Sequence, residues 1–299
     1  MKDAKKVLES FEGKHDSLAA VDSDGCVFDT MEVKQKECFH PRIVTHWHLE
    51  GIERYVRETA EFVNLYSQWR GSNRFSALLV TFDMLVERPE VRNSAVKLPD
   101  LRSLRDFTAG GAPLGNPSLE EAVRKTHDET LYSCLEWSRK VNADVERVVD
   151  SVPPFEWAVK GLEMLKAGSD AVCVSQTPFE ALTREWDRSG LTDCVSAIGG
   201  QEMGSKAEQI AAAAGGRYRG DRILMIGDAP GDRAAAEKNG ACFFPVKPGR
   251  EEDSWKLFCE EAYERFLCGG YAGGYQEGLV SEFESLLPDT PPWKKRNKG

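Results

Sequence analysis

The chain has no Cys-x-x-Cys pair, no apolar run long enough to cross a bilayer and no surplus of basic residues. Thiols paired at short spacing mark structural zinc sites and redox centres. Without that spacing, the eight cysteines at 26, 38, 134, 173, 194, 242, 259 and 268 read as buried, packed thiols, several within apolar stretches such as Ala171-Val172-Cys173-Val174. A membrane span needs roughly 20 consecutive apolar residues. The charged start Met1-Lys2-Asp3-Ala4-Lys5-Lys6 leads into no apolar segment of signal-peptide length, so no membrane partner is expected and a reducing, cytoplasmic location is. With 39 basic against 49 acidic residues the formal charge is −10, the wrong sign for a broad nucleic-acid surface. Any bound phosphate must meet local positive groups.

What the 299 residues do contain, at 41% apolar, is enough for one large core or two smaller ones. Leu18 to Val21 is short, apolar and bounded by polar residues, a buried strand running into Asp22-Ser23-Asp24-Gly25. From 31 to 152 the pattern becomes helical. Leu119, Val123, Leu131, Leu135, Val141, Val145 and Val148 form one stripe, opened by a Ser118 and Glu121 capping box. After Pro153-Pro154 strands and helices alternate: a helix over 155–167 stopping at Gly168, strands at Ala171–Val174, Val195–Ile198, Arg222–Ile226 and Ala241–Phe244, and helix starts at Thr177-Pro178 and at the Ser205–Glu208 capping box. The expected class is α/β. A Rossmann-like parallel sheet core comes from residues 1–30 and 153–287, a second, all-helical domain from 31–152, and a disordered tail without function from 288–299.

Three strands end in polar residues of one kind: Asp22-Ser23-Asp24-Gly25, Ser175-Gln176-Thr177 and Gly227-Asp228-Ala229-Pro230-Gly231-Asp232. In a parallel sheet the carboxyl ends of the strands share one edge, so these groups can converge on one crevice. Asp22, Asp24, Asp228 and Asp232 gathered there would repel one another unless a hard cation with oxygen ligands held them, and Mg2+ suits carboxylates that keep water and accept a phosphate oxygen. Lys206 brings a point charge to the same edge, and Ser175 a hydroxyl beside a helix start.

In this order, Asp22-Ser23-Asp24-Gly25-Cys26-Val27-Phe28-Asp29-Thr30, Ser175, Lys206 and Gly227 to Asp232 resemble the four motifs of the haloacid dehalogenase-like hydrolase superfamily. The matches cover residues 15–30 and about 153–250. The resemblance implies that Asp22 is the nucleophile, forming an aspartyl-phosphate that water hydrolyses. It makes Asp24 the general acid and then base, its carbonyl helping to hold the metal, and Asp228 a metal ligand. Asp232 becomes an outer ligand or the group that orients Lys206, while Ser175, Gln176 and Lys206 bind the phosphoryl oxygens. An acid at Asp24 is a feature of phosphatases and phosphomutases and is lacking in the dehalogenases, which disfavours carbon–halogen chemistry. Cys26 stands where Thr or Val is usual, and Ser175 where Thr is commoner.

The same resemblance makes residues 31–152 a helical cap that closes over the crevice. Within it Gln68-Trp69-Arg70-Gly71-Ser72-Asn73-Arg74-Phe75 offers Arg70 and Arg74 as substrate contacts, or else a helix–helix corner. His46-Trp47-His48 is compact, but residues two apart on a helix face different sides, against a zinc site. The expected function is a Mg2+-dependent phosphatase acting on a small phosphorylated metabolite. The alternatives are a phosphomutase with the same core and a non-catalytic module that binds a phosphorylated ligand.

Overall fold

In the computed structural model, which describes residues 2–148 and 152–296, the chain divides into two units, Met1–Met31 with Val152–Leu287 and Glu32–Ser151 with Pro288–Gly299. The first holds a five-stranded sheet: β1 (Leu18–Val21), β2 (Asp170–Val174), β3 (Ala197–Gly199), β4 (Ile223–Gly227) and β5 (Cys242–Pro245), in the order β3-β2-β1-β4-β5 and parallel throughout. This is the Rossmann-like core expected for the α/β class.

Both faces of the sheet are covered, which is why the strands read as unbroken apolar runs rather than alternating ones. Ala19, Val21, Cys173, Leu224, Ile226 and Phe244 face one core with Leu162, Trp186 and Trp255. Leu18, Ala20, Val172, Val174, Met225 and Phe243 face the other with Ile210, Ala236 and Phe283. The exception is Asp170 at the start of β2, buried because its carboxylate accepts from the backbone N–H groups of Lys14 and His15 and from the Tyr218 hydroxyl.

The strands start or stop within a residue or two of the sequence expectation, but three other expectations give way. The Thr177-Pro178 helix start sits later: the helix runs Phe179–Arg188 with Pro178 at its N-cap, and the Thr177 hydroxyl bonds Asp24 instead of capping. The single apolar stripe of 119–148 is split between two helices, Asn116–Thr126 and Glu129–Val148. His127 breaks it in the left-handed conformation, and Asp128 caps the second helix by accepting from the Leu131 N–H. Ser118 lies inside the first helix, whose N-cap is Gly115. Finally, the expected tail is partly structured: Pro292–Arg296 is helical, and Trp293 packs edge-on to Phe62 at 5.5 Å and 4.4 Å from the Arg88 guanidinium. An aromatic amid a basic stretch gains more by covering an apolar surface and a cation than by remaining in water.

The second unit is helical, as expected, with its core on the Glu53–Leu65, Arg74–Glu87 and Glu129–Val148 helices and Trp137 at its centre. Of the cysteines, Cys259 is half-buried and Cys268 exposed; the other six are buried. No helix among the described residues is long and apolar enough to cross a membrane.

The Glu156–Gly168 helix lies so close to the helix carrying Trp255 that a Cβ at Gly161 would fall 2.6 Å from the indole ring. Gly161→Ala is therefore expected to lower the unfolding free energy by about 1–3 kcal/mol in a urea titration. An unchanged midpoint would mean that this contact is looser than described.

Candidate active site

β1 is the central strand, flanked by β2 on one side and β4 on the other, with Val21 level with Cys173 and Ile226. The chain runs outward from β1 through β2 to β3 and then returns to the opposite side for β4 and β5. The carboxyl edge between β1 and β4 is thus the point where the winding reverses, the place where such sheets open a crevice. Asp22 extends β1 into that edge, its N–H donating to the Ile226 carbonyl at 2.9 Å.

The turn after Asp22 is held tightly. The Ser23 carbonyl accepts from the N–H groups of Cys26, Val27 and Phe28, and Gly25 takes φ +76°, open to glycine at little cost. Cys26 is fully buried, its thiol near the Ile226 carbonyl and its own carbonyl accepting from the Trp255 indole N–H at 2.7 Å. Burial pushes the Cys26 thiol up, away from the reactive thiolate, in keeping with a packing role.

Asp22, Asp228 and Asp232 are all buried, and one carboxylate oxygen from each lies within 4.8 Å of the others. Lys206 Nζ sits among them, 2.7 Å from Asp22 Oδ2 and bonded also to Asp232 Oδ1. Asp232 Oδ2 meanwhile accepts from the backbone N–H groups of Asp228 and Ala229, at 3.1 and 3.0 Å. This second carboxylate oxygen reaches the turn because Gly227 has no side chain: a Cβ there would lie 2.4 Å from Asp232 Cγ.

The electrostatics are those of a site short of positive charge. Burial raises the pKa of Asp22, the Lys206 ammonium opposes this, and Asp232 and Asp228 push it up further. Asp232 is raised for the same reasons in the same order, burial, then Lys206 against, then Asp228. Burial also works against the Lys206 charge, but Asp22 and Asp232 outweigh it and hold the ammonium above its ordinary range. Three buried carboxylates against one ammonium leave room for a divalent cation, and the donors are all hard oxygens. The residues present therefore fit Mg2+, with Asp22 and Asp228 as the carboxylates to hold it and Asp232 engaged with Lys206.

Asp24 is not one of these three. The Thr30 hydroxyl donates to one of its oxygens and the Thr177 hydroxyl to the other, the latter at 2.8 Å. Ser175, buried at the end of β2, accepts at Oγ from the Thr177 N–H at 3.1 Å, leaving its own proton to donate. Gln176 is exposed, its amide donating to the carbonyls of Ser175 and Gly204.

Seven of the nine expected site residues, Asp22, Asp24, Ser175, Gln176, Lys206, Asp228 and Asp232, thus belong to the first unit, on the loops and helix starts at the carboxyl ends of its strands. Arg70 and Arg74 belong to the second unit. Arg70 is buried and donates to the Leu65 carbonyl at 2.9 Å. Arg74 donates to Ser138 and Asn142, lies 5.1 Å from the Phe39 ring, and is pushed down to about 10 by burial. Their segment is the corner between two helices, closed by Asn73 as N-cap. His46 ends a helix and bonds Ser133, while His48 takes φ +53° beyond it. Sequence reading passed over the partner roles of Thr30 and Thr177, the clearance at Gly227, and Gln209, whose spacing of three from Lys206 places it on the same helix face.

No family model matches the sequence, and no curated protein matches it. Among solved structures the chain is similar to a haloacid dehalogenase-like hydrolase from Bacteroides fragilis, at 13% identity over 81% of this chain and 93% of that one, TM-score 0.49. It is also similar to a HAD-superfamily hydrolase of subfamily IA from Geobacter sulfurreducens, at 14% over 79% and 89%, TM-score 0.39. A third is the L-2-haloacid dehalogenase of Xanthobacter autotrophicus, at 15% over 92% and 90%, TM-score 0.40.

Removing the ammonium in Lys206→Met should cost about 3–5 kcal/mol near neutral pH without divalent ions, because buried carboxylates lose their counter-charge. The folded-state pKa values of Asp22 and Asp232 lie above the unfolded ones. The variant's stability should therefore be retained below the ordinary carboxylate pKa and lost as pH rises through the raised values. Urea midpoints that climb from acid toward neutral pH would contradict this.

Proposed function

We propose that the chain is a magnesium-dependent phosphohydrolase of the haloacid dehalogenase-like superfamily that removes phosphate from a small phosphorylated metabolite through an aspartyl-phosphate at Asp22. The observation that carries this reading is that two carboxylates two residues apart have different partners. Asp22 lies with Asp228, Asp232 and Lys206, whereas Asp24 is outside that set and accepts from the Thr30 and Thr177 hydroxyls. In this reading Asp22, with the Lys206 ammonium beside it, is the nucleophile, and Asp24 is the group that transfers the proton.

In the first half-reaction a carboxylate oxygen of Asp22 bonds to phosphorus as the ester oxygen departs, and Asp24 gives its proton to that oxygen. In the second, Asp24 takes a proton from water as the water oxygen bonds to phosphorus, and the Asp22–phosphorus bond breaks to release inorganic phosphate. The Thr30 and Thr177 hydroxyls suit both states, since each donates to ionised Asp24 and can rotate to accept from it when protonated. Lys206 and the Ser175 hydroxyl bind the transferring oxygens, where charge is spread in the transition state. Bound at Asp22 and Asp228, Mg2+ would neutralise charge on those oxygens and on the nucleophile. The net charge of −10 favours a small ester over a polyanionic macromolecule.

The test is phosphate release from an aryl phosphate. Turnover is expected with magnesium and not after chelation, Asp22→Asn should reduce it to background, and Asp24→Asn should lower it by about 10²–10⁴. Turnover that survives Asp22→Asn or chelation would reject the mechanism, and isomerisation of a sugar phosphate with little phosphate released would point to a phosphomutase.

A further inference from the structure

Ser175 and Lys206 come to the carboxyl edge from different elements, one at the end of β2 and the other in the first turn of the Lys206–Ala214 helix, with β3 and the short Gln201–Met203 turn between them. One buried side chain joins all of these pieces. We infer that Gln209 is the positioning residue of the phosphoryl cradle, its amide setting Ser175 and Lys206 at the separation that receives a phosphoryl group. The inference rests on the phosphohydrolase reading and adds to it a residue outside the four motifs.

Gln209 is fully buried on a helix face otherwise formed by Ile210, Ala213 and Ala214. Its Nε2 donates to the carbonyls of Ser175 at 3.0 Å, Gly200 at 3.1 Å and Gly204 at 3.0 Å, and its Oε1 accepts from the Ser175 N–H at 3.2 Å. A single amide thus grips both backbone groups of Ser175, the end of β3, and the loop two residues before Lys206. Only a primary amide supplies donors and an acceptor in this arrangement: a carboxylate would set its charge against three carbonyls, and an apolar chain would leave them without this partner. A position that served packing alone would be cheaper to fill with an apolar residue. The neighbouring chain also makes room for the amide, since a Cβ at Gly199 would lie 2.6 Å from Gln209 Oε1.

The test compares wild type, Gln209→Met and Gly199→Ala as full chains with saturating magnesium. It reads the Kd of inorganic phosphate by titration calorimetry, KM and kcat for an aryl phosphate, the pH profile of kcat, and the thermal midpoint. Gln209→Met keeps the volume and loses the amide; Gly199→Ala keeps the amide and displaces it. Both are expected to weaken phosphate binding about tenfold or more and to raise KM in parallel, as a small misplacement of binding groups does, while the pH profile of kcat stays in place. A folded variant of either kind with a lower thermal midpoint but wild-type Kd and KM would make Gln209 a core residue only and overturn the inference. If Gln209→Met does not fold, Gly199→Ala decides by the same criterion. Wild-type protein that binds no phosphate in the presence of magnesium would bring down the phosphohydrolase reading first and the inference with it, so the two failures are told apart.

Discussion

The constraint on which the rest depends is the crowding of acidic side chains at one edge of the sheet. Asp22, Asp228 and Asp232 are all buried, with carboxylate oxygens within 4.8 Å of each other and Lys206 as the ammonium among them. Like charges at such separations are costly away from water. Their position is tolerable only because the lysine and the backbone N–H groups of Asp228 and Ala229 answer part of the charge. The remainder is what a divalent cation would answer in the proposed enzyme.

The sheet explains why this happens at an edge. Its strands are covered on both faces, so a polar side chain there needs partners of its own, as Asp170 has. The carboxyl ends are where the chain leaves the core and where charged residues become affordable. Close approach at those ends then depends on the absence of side chains at two positions, Gly227 beneath Asp232 and Gly199 beside the Gln209 amide. Both glycines follow from what must pass near the backbone rather than from any turn.

Much of this was legible in the sequence because strand ends and short polar clusters are local signals. Leu18–Val21 is both the apolar run and the strand, and the Ser205–Glu208 capping box opens the helix that begins at Lys206. Where reading failed, a tertiary partner overrode a local preference. Thr177 resembled a helix cap, but its hydroxyl is claimed by Asp24, more than a hundred residues earlier. The stripe from Leu119 to Val148 had a sound helical period yet concealed the turn at His127, because two successive helices packed on one core can carry the same apolar phase as one long helix. Trp293 looked like part of a tail until Phe62 and Arg88 supplied a surface for it. Arg74, read as a candidate ligand contact, donates to the Ser138 carbonyl and the Asn142 amide oxygen, and Arg70 donates to the Leu65 carbonyl.

The sequence by itself determined the alternation of elements, the helical character of the intervening block, and the identity of the acidic, hydroxyl and lysine groups at the strand ends, all of which follow from periodicity and neighbours a few residues apart. The tertiary structure decided which carboxylate stands with which. It sent Asp232 to Lys206, Asp24 to two threonines, and the Gln209 amide to three carbonyls from separate loops. Those choices depend on distances of a few ångströms between residues far apart in the chain, and only the packed sheet and its helices set them.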